Sequence, residues 1–479
     1  MSLQELVEIS RYYGSNPDYV IAGGGNTSWK DGNTLYVKGS GTALGEIDSG
    51  GFVRMDRAAL ARIWTRRYPE DAAEREAAVL ADMMAARAPG EAGRPSVETL
   101  LHDVLPFLYV VHTHPALVNG VTCSKEGEAA VKRLFDGPEN APPLWIPVIN
   151  PGYVLSAVVK EEMEGYIKTH GRPPEVIFLQ NHGIFVGANS AAGIKEIYRR
   201  VMDRIALAVG EAGLALRGNA AATSPGEEDV LSPPEGETLS HHAASLPQQV
   251  GDWVRAALAA YYPGGLFVRF DRNNEIARLV QDRASFAAVS SAFTPDHIVY
   301  AGSDPLFIEA PQGLPSATCR GGEVGIAYGE SATAPLRGEQ EAAPQGLSSG
   351  ATYGESATAP LRGEKEAHSP PRRGAAVLAC CATPDLPPRQ VAKAVERHVA
   401  KTGRPPKVVA VQGVGVYCVG VHQKAADLAY ALFLDAAAVA GYTEAFGGPS
   451  FMPQDKINFI NNWEVERYRS SVSVKETKE

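Results

Sequence analysis

Residues 98–114 run Glu98-Thr99-Leu100-Leu101-His102-Asp103-Val104-Leu105-Pro106-Phe107-Leu108-Tyr109-Val110-Val111-His112-Thr113-His114. Phe107 to Val111 is a short aromatic and β-branched run bounded by Pro106, which predicts a buried strand. Side chains alternate faces along a strand. His112 and His114 therefore point the same way at its end, and Thr113 points away. Two converging imidazoles make half of a site for Zn²⁺ or another borderline divalent ion. Ordinary surface or hydrogen-bonded histidines also occur in this pattern, and the pair alone leaves both readings open.

Outward from this stretch, Val176 to Val186 reads as strand, tight turn, strand, with Asn181-His182-Gly183 at the turn. An imidazole at the turn of a buried hairpin is costly unless the ring has a partner. Upstream lie two small-residue turns, Ala22-Gly23-Gly24-Gly25-Asn26-Thr27-Ser28 and Gly39-Ser40-Gly41-Thr42. Between them, Asp31-Gly32 predicts a hairpin turn. Glycine-rich turns let backbone N–H groups approach an anion, and Asn, Ser and Thr side chains add donors. Neither turn is a Walker A loop or a dinucleotide fingerprint, and each also reads as a plain tight turn. Helices are expected over 3–13, 56–87, 125–135, 156–170 and 190–214. Another opens at Pro95-Ser96-Val97-Glu98 with Ser96 as N-cap. Pro147 makes 145–150 an edge strand.

The chain of 479 residues suggests two or three domains. Its net charge of −10 argues against general nucleic-acid or anionic-membrane binding, though not against a local basic pocket for phosphate. Five cysteines, Cys123, Cys319, Cys380, Cys381 and Cys418, form no C-x-x-C pair, which fits a reducing compartment. No signal-peptide-like start and no run of about 18 apolar residues is found. The expected location is the cytoplasm.

Two repeats organise the rest. Tyr328 to Glu339 recurs unchanged as Tyr353 to Glu364. That tract is poor in large apolar residues, so 311–373 is read as a disordered insertion. More informative is Gly171-Arg172-Pro173-Pro174-Glu175 to Gly183, which aligns without gaps on Gly403-Arg404-Pro405-Pro406-Lys407 to Gly415. Each copy continues into an apolar strand and an alanine-rich helix, the second over 424–441. The second half reads as a diverged copy in which Val414 matches His182. Gly302-Ser303-Asp304-Pro305 is set against His112-Thr113-His114-Pro115. The expected organisation is a domain over 1–216, a linker over 217–249, and a degenerate second domain over 250–310 and 374–479.

Gly25-Asn26-Thr27-Ser28, Ser40-Gly41-Thr42, Pro95-Ser96-Val97-Glu98, His112-Thr113-His114-Pro115 and Asn181-His182-Gly183 occur in the order seen in the class II aldolase/adducin family, which residues 12–210 resemble. The whole chain resembles the aldolase portion of bifunctional aldolase/short-chain dehydrogenase proteins, without a strand–GxGxxG–helix unit. The resemblance implies an α/β fold, a central β-sheet flanked by helices, here with a diverged second copy. It implies a divalent metal, zinc first, on His112, His114 and His182, with an open position as catalysis requires. It implies Glu98 as catalytic acid/base, and phosphate held by Gly25, Asn26, Ser40, Gly41 and Ser96, with Lys38 as an added charge.

The implied activity is aldehyde-lyase cleavage of a ketose 1-phosphate, L-rhamnulose 1-phosphate foremost, to dihydroxyacetone phosphate and an aldehyde. The alternatives are a sugar-phosphate 4-epimerase or dehydratase on the same metal, or a non-catalytic adducin-like module. The sequence departs from the family at Val97, where a second serine is common, and in the loop reaching Tyr153. Tyr153 is read either as the proton donor to the aldehyde or as a packing residue. A homo-oligomer is expected by analogy.

Overall fold

The Asp31-Gly32 turn forms as its residue types dictate, with Gly32 at φ +57° between β1 (Asn26–Asp31) and β2 (Thr34–Lys38). The computed structural model describes residues 2–137, 142–214, 246–310 and 388–465. In the first half the remaining strands are β3 (Phe52–Asp56), β4 (Tyr109–Thr113), β5 (Leu144–Ile146), β6 (Val176–Leu179) and β7 (Gly183–Ala188). They form a seven-stranded sheet in the order β3-β2-β1-β4-β7-β6-β5. All neighbours are antiparallel except β5 and β6. β5 lies at the edge, where Pro147 costs no ladder hydrogen bond.

β4 lies at the centre with all five residues buried, which accounts for its unbroken apolar run. Burying each such side chain contributes about 1.5–3 kcal/mol, enough to fix the strand without help from its turn. Behind it, Lys30 donates from Nζ to the carbonyls of His102, Leu105 and Phe107 at 2.6, 2.8 and 2.9 Å. Those contacts close the carboxyl end of the helix Thr99–Val104 and hold it against the sheet. The region 56–87 holds two helices, Arg57–Ile63 and Ala72–Ala85, rather than one continuous element. Pro69 in the intervening loop lacks the N–H a continuous helix needs. Ser96 does not cap the next helix: Glu98 occupies the N-cap, and the Ser96 hydroxyl accepts from its N–H at 3.2 Å.

The second half forms a four-stranded sheet, β8 (Phe267–Asp271), β9 (Leu306–Ile308), β10 (Val408–Val411) and β11 (Gly415–Gly420), in the order β8-β11-β10-β9. Its pairing repeats that of β4-β7-β6-β5, with the edge strand parallel and the rest antiparallel. Individual hydrogen bonds repeat as well. Gln180 N donates to Ile146 O at 2.9 Å, and Gln412 N to Ile308 O at 2.9 Å. Tyr198 donates its hydroxyl to Val111 O and meets Thr113, and the matching Tyr430 donates to Asp271.

This register corrects one expected match. Gly302-Ser303-Asp304-Pro305 leads into β9, the counterpart of β5, so it does not stand in place of His112 to Pro115. β8 takes that place. Thr113 faces Ile184 as Asp271 faces the matching Val416, and His112 faces Phe185 as Phe270 faces Tyr417.

The helix Gln423–Thr443 joins the two cores. Ala438 and Tyr442 pack with the first sheet's apolar residues, and Phe433 and Ala437 with the second's. With the residues to Phe446 it has the length and mean hydropathy (1.3) of a membrane span, but most of that window is buried inside the protein. The expected linker falls outside the described residues as far as 245, and a helix begins at Leu246. The expected insertion over 311–373 also lies outside the described residues.

Candidate metal centre

β4 delivers His112 at its end and His114 just beyond, and the β6–β7 turn delivers His182. One ring nitrogen from each lies within 4.8 Å of the others. The orientation of two rings is set by their outer nitrogens. His112 Nδ1 donates to Ile184 O at 2.9 Å, and His114 Nδ1 lies 2.6 Å from Asp296 Oδ2. With those protons outward, the inner Nε2 atoms carry lone pairs, and they sit 2.9 Å apart. Two facing lone pairs at that separation lack a proton to share, and a cation between them would satisfy both. The donor set, three imidazoles with room for a further ligand, suits a catalytic zinc-type site.

The rings of His112 and His182 are held neutral. Burial drives His112 well below the usual imidazole pKa, with the neighbouring His114 adding to the effect. Burial, then the charge of His112, lowers His182 to about 3. Neutral imidazole is the metal-binding form. Phe185 stacks on His112 with centroids 4.0 Å apart and closes one face of the site.

Glu98 reaches the same point from the helix Thr99–Val104. Its Oε1 is 3.4 Å from His112 Nε2 and 3.5 Å from His182 Nε2. Its Oε2 accepts a hydrogen bond from Asn26 Nδ2. The carboxylate is thus placed both to approach a cation and to meet a substrate bound there. Gly25 takes φ +68°, and a Cβ on it would sit 2.9 Å from His112 O, so the turn before Asn26 needs glycine.

A cavity beside Glu98 and His182 is lined by Asn26, Lys38, Ser40, Gly41 and Ser96. The two small-residue turns thus meet at the metal centre, and Gly25 backs them without lining the cavity. Lys38 Nζ donates to the carbonyls of Gly23 and Gly25, both at 2.9 Å, tying the strand β2 to the first turn. Ser96 N donates to Lys38 O at 3.2 Å, which sets the second serine-bearing segment alongside. Val97 also lines the cavity, where a second serine would add a donor.

Tyr153 is not brought to this cavity. It begins the helix Tyr153–His170 and packs on Trp64 and Tyr68 at 5.8 and 5.1 Å between centroids. Its place is in the aromatic packing of the first half.

The residue that sequence reasoning missed is Asp296, which lies 182 positions from its partner His114. It comes from the second half, as do the Phe293 and Ser450 carbonyls that accept from Asn181 Nδ2 at 3.1 and 2.8 Å. Asn181 stands at φ +56° beside His182, so these bonds fix the turn carrying the third histidine. A Cβ on Gly24 would come within 2.7 Å of Asp296 Oδ2, so that glycine gives the carboxylate its space. A carboxylate on the outer nitrogen of a liganding histidine fixes its tautomer and orientation. The diverged half is therefore part of the site.

The three histidines and the carboxylate converge at the end of the central strand as a donor set that could hold a metal ion. Residues 4–201 match the family model for the class II aldolase and adducin N-terminal domain. A curated relative, the uncharacterized oxidoreductase YuxG of Bacillus subtilis (strain 168), is 24% identical over 317 residues. The match covers 64% of this chain and 42% of that protein, so the chain spans less than half of the relative's length. Among solved structures, the N-terminal class II aldolase domain of a conserved protein from Thermoplasma acidophilum is 27% identical. It covers 43% of this chain and 93% of its own, with a TM-score of 0.36. A sugar-phosphate aldolase from Thermotoga maritima is 14% identical and covers 45% and 97%, with a TM-score of 0.31.

Proposed function

We propose that the protein is an aldehyde-lyase that cleaves a ketose 1-phosphate to dihydroxyacetone phosphate and an aldehyde, with L-rhamnulose 1-phosphate the first substrate to test. The supporting observation is the convergence of His112, His114, His182 and Glu98 beside the cavity of Asn26, Lys38, Ser40, Gly41 and Ser96. A divalent cation on the three histidines, zinc first, supplies the positive charge that stabilises negative charge developing on the substrate's carbonyl oxygen.

The chain's own groups do the rest. Ser40, Ser96, Asn26 and the backbone at Gly41 hold the phosphate, and the buried ammonium of Lys38 adds a favourable field. In cleavage, the hydroxyl on the carbon that becomes the aldehyde gives its proton to water as its C=O forms, the electron pair of the broken C–C bond remains on the dihydroxyacetone phosphate fragment, and the Glu98 carboxyl group delivers a proton to that carbon. In the reverse direction the Glu98 carboxylate removes it. Asn26 orients the carboxylate through its bond to Oε2. Asp296 acts on the reaction only through His114.

A second reading, a sugar-phosphate 4-epimerase or dehydratase using the same residues, draws support from the position of Tyr153 outside the cavity. The two separate on one assay. The protein, purified with Zn²⁺, Mn²⁺ or Co²⁺ and its metal content confirmed, is given a panel of ketose phosphates, and dihydroxyacetone phosphate release is followed. Release from L-rhamnulose 1-phosphate supports the lyase. Absence of release from every member, with metal bound, removes it in favour of the epimerase or dehydratase.

A further inference from the structure

The diverged half contains a second cavity of about 950 Å³, within the size range of small-molecule sites. Its floor is the end of the helix Pro388–Thr402 and the turn that follows. Its walls include the π-helical turn His297–Ala301 and the helix Gln454–Asn462. Lys401, Arg404 and Lys407 line it against one carboxylate, Asp304.

The internal repeat makes this charge informative. The positions matching His398, Lys401 and Lys407 in the first half are Tyr166, Thr169 and Glu175, while Arg404 matches Arg172. In the first half Tyr166 is buried in the core and donates to Pro142 O at 2.7 Å, and Glu175 pairs with Arg200 at 3.3 Å. The second half has replaced a balanced face with an excess of cations. Arg404 Nη2 donates to Asn461 O and Asn462 Oδ1 at 2.9 and 3.2 Å, and Lys407 Nζ to Val299 O at 2.7 Å. Among the described residues, no carboxylate pairs with Lys401, Arg404 or Lys407. Burial pushes Lys407 down to about 8, the direction expected of an ammonium without a neighbouring anion.

We propose that this cavity binds a phosphorylated small molecule, its phosphate set between Arg404 and Lys407 with Lys401 as the third cation. A guanidinium fork and two ammonium groups match a multiply charged oxyanion. The volume exceeds what one phosphate fills, and the carboxamide of Asn458 suits hydroxyls on the rest of the ligand. The site shares structure with the metal centre. Ile460 lines both this cavity and the cleft beside His182, and the turn 297–301 directly follows Asp296.

The test is calorimetric titration of the full chain with inorganic pyrophosphate and with glycerol 3-phosphate, with malonate as the carboxylate comparison. Affinity for both phosphates should fall by about tenfold or more in the double variant Lys401→Ala/Lys407→Glu, as expected for losing charged hydrogen bonds. Lys407→Arg should retain binding, which shows that charge rather than folding is read. Lys132→Ala and Lys160→Ala, which remove exposed lysines of the first half outside both cavities, should bind as the wild type does, and malonate should bind more weakly than pyrophosphate. Unchanged affinity in the double variant, or an equal loss in Lys132→Ala, would place the anion elsewhere. Absence of binding to the wild type, or malonate binding as tightly as pyrophosphate, would also overturn the proposal.

Discussion

At the end of β4 the chain carries His112 and His114; at the same register on β8 it carries Phe270 and Arg272, and Val414 stands where His182 would. Between these two sheets the backbone bonds are kept and the histidine side chains are not. Gln180 and Gln412 make the same strand-to-strand bond, and Asn181 and Gly413 take the same left-handed turn at φ +56° and +70°. A buried backbone N–H needs an acceptor whatever the side chains do, so the scaffold resists divergence. Imidazoles at a metal site are required only where metal is used. The comparison also shows that the second half, without a matching histidine cluster among the described residues, is not independent of the first, because Asp296 and the Phe293 and Ser450 carbonyls hold His114 and Asn181.

The largest expected effect is on the first sheet alone. His114→Ala should abolish zinc retention through dialysis while leaving the fold intact by circular dichroism. The same substitution at the matching position, Arg272→Ala, should leave zinc content unchanged. Loss of metal in Arg272→Ala would break the contrast between the halves. Next, Glu98→Gln should keep its metal and lose about 10²–10⁴-fold in turnover, the range for a positioned acid/base. Full activity in that variant would remove Glu98 from its role.

Asp296→Asn is the test of the second half's contribution. Zinc affinity, read by competition with a chelating dye, should weaken about 10–100-fold, with secondary structure unchanged. An unaltered affinity would reduce Asp296 to a packing contact. The smallest effects are on the paired tyrosines. Tyr198→Phe, which removes the bonds to Val111 O and from Thr113, should lower stability by about 2 kcal/mol in urea titration, and Tyr430→Phe, which removes one bond to Asp271, by about 1 kcal/mol. A loss confined to Tyr198→Phe would show that the second copy of the scaffold bond no longer contributes.

Much of this was legible in the residues. Alternation at the end of an apolar strand placed His112 and His114 together, and the Asn181-His182-Gly183 turn signal placed the third ring at the end of a neighbouring strand. The Gly-Arg-Pro-Pro repeat exposed the duplication because proline and glycine fix backbone geometry that both halves retain. Asp296 was not legible. Thr294-Pro295-Asp296 has no period or spacing tied to the histidines, and only tertiary packing brings it to His114. The match of Gly302–Pro305 to the histidine segment failed because spacing before a proline does not identify a strand's neighbours, whereas the pairing of β8 with β11 does. Tyr153 stayed open between proton donor and packing residue for a related reason: its distance along the chain from the loop does not say that its ring turns toward Trp64 and Tyr68.

The central claim is that one metal ion binds per chain, on the first sheet's three histidines. The direct measurement is the zinc-to-protein ratio by elemental analysis after zinc loading and exhaustive dialysis, in the wild type and in His112→Ala, His114→Ala and His182→Ala. One zinc per wild-type chain and none in each variant is the expected result. A wild-type chain without zinc, or variants that retain it, would contradict the account.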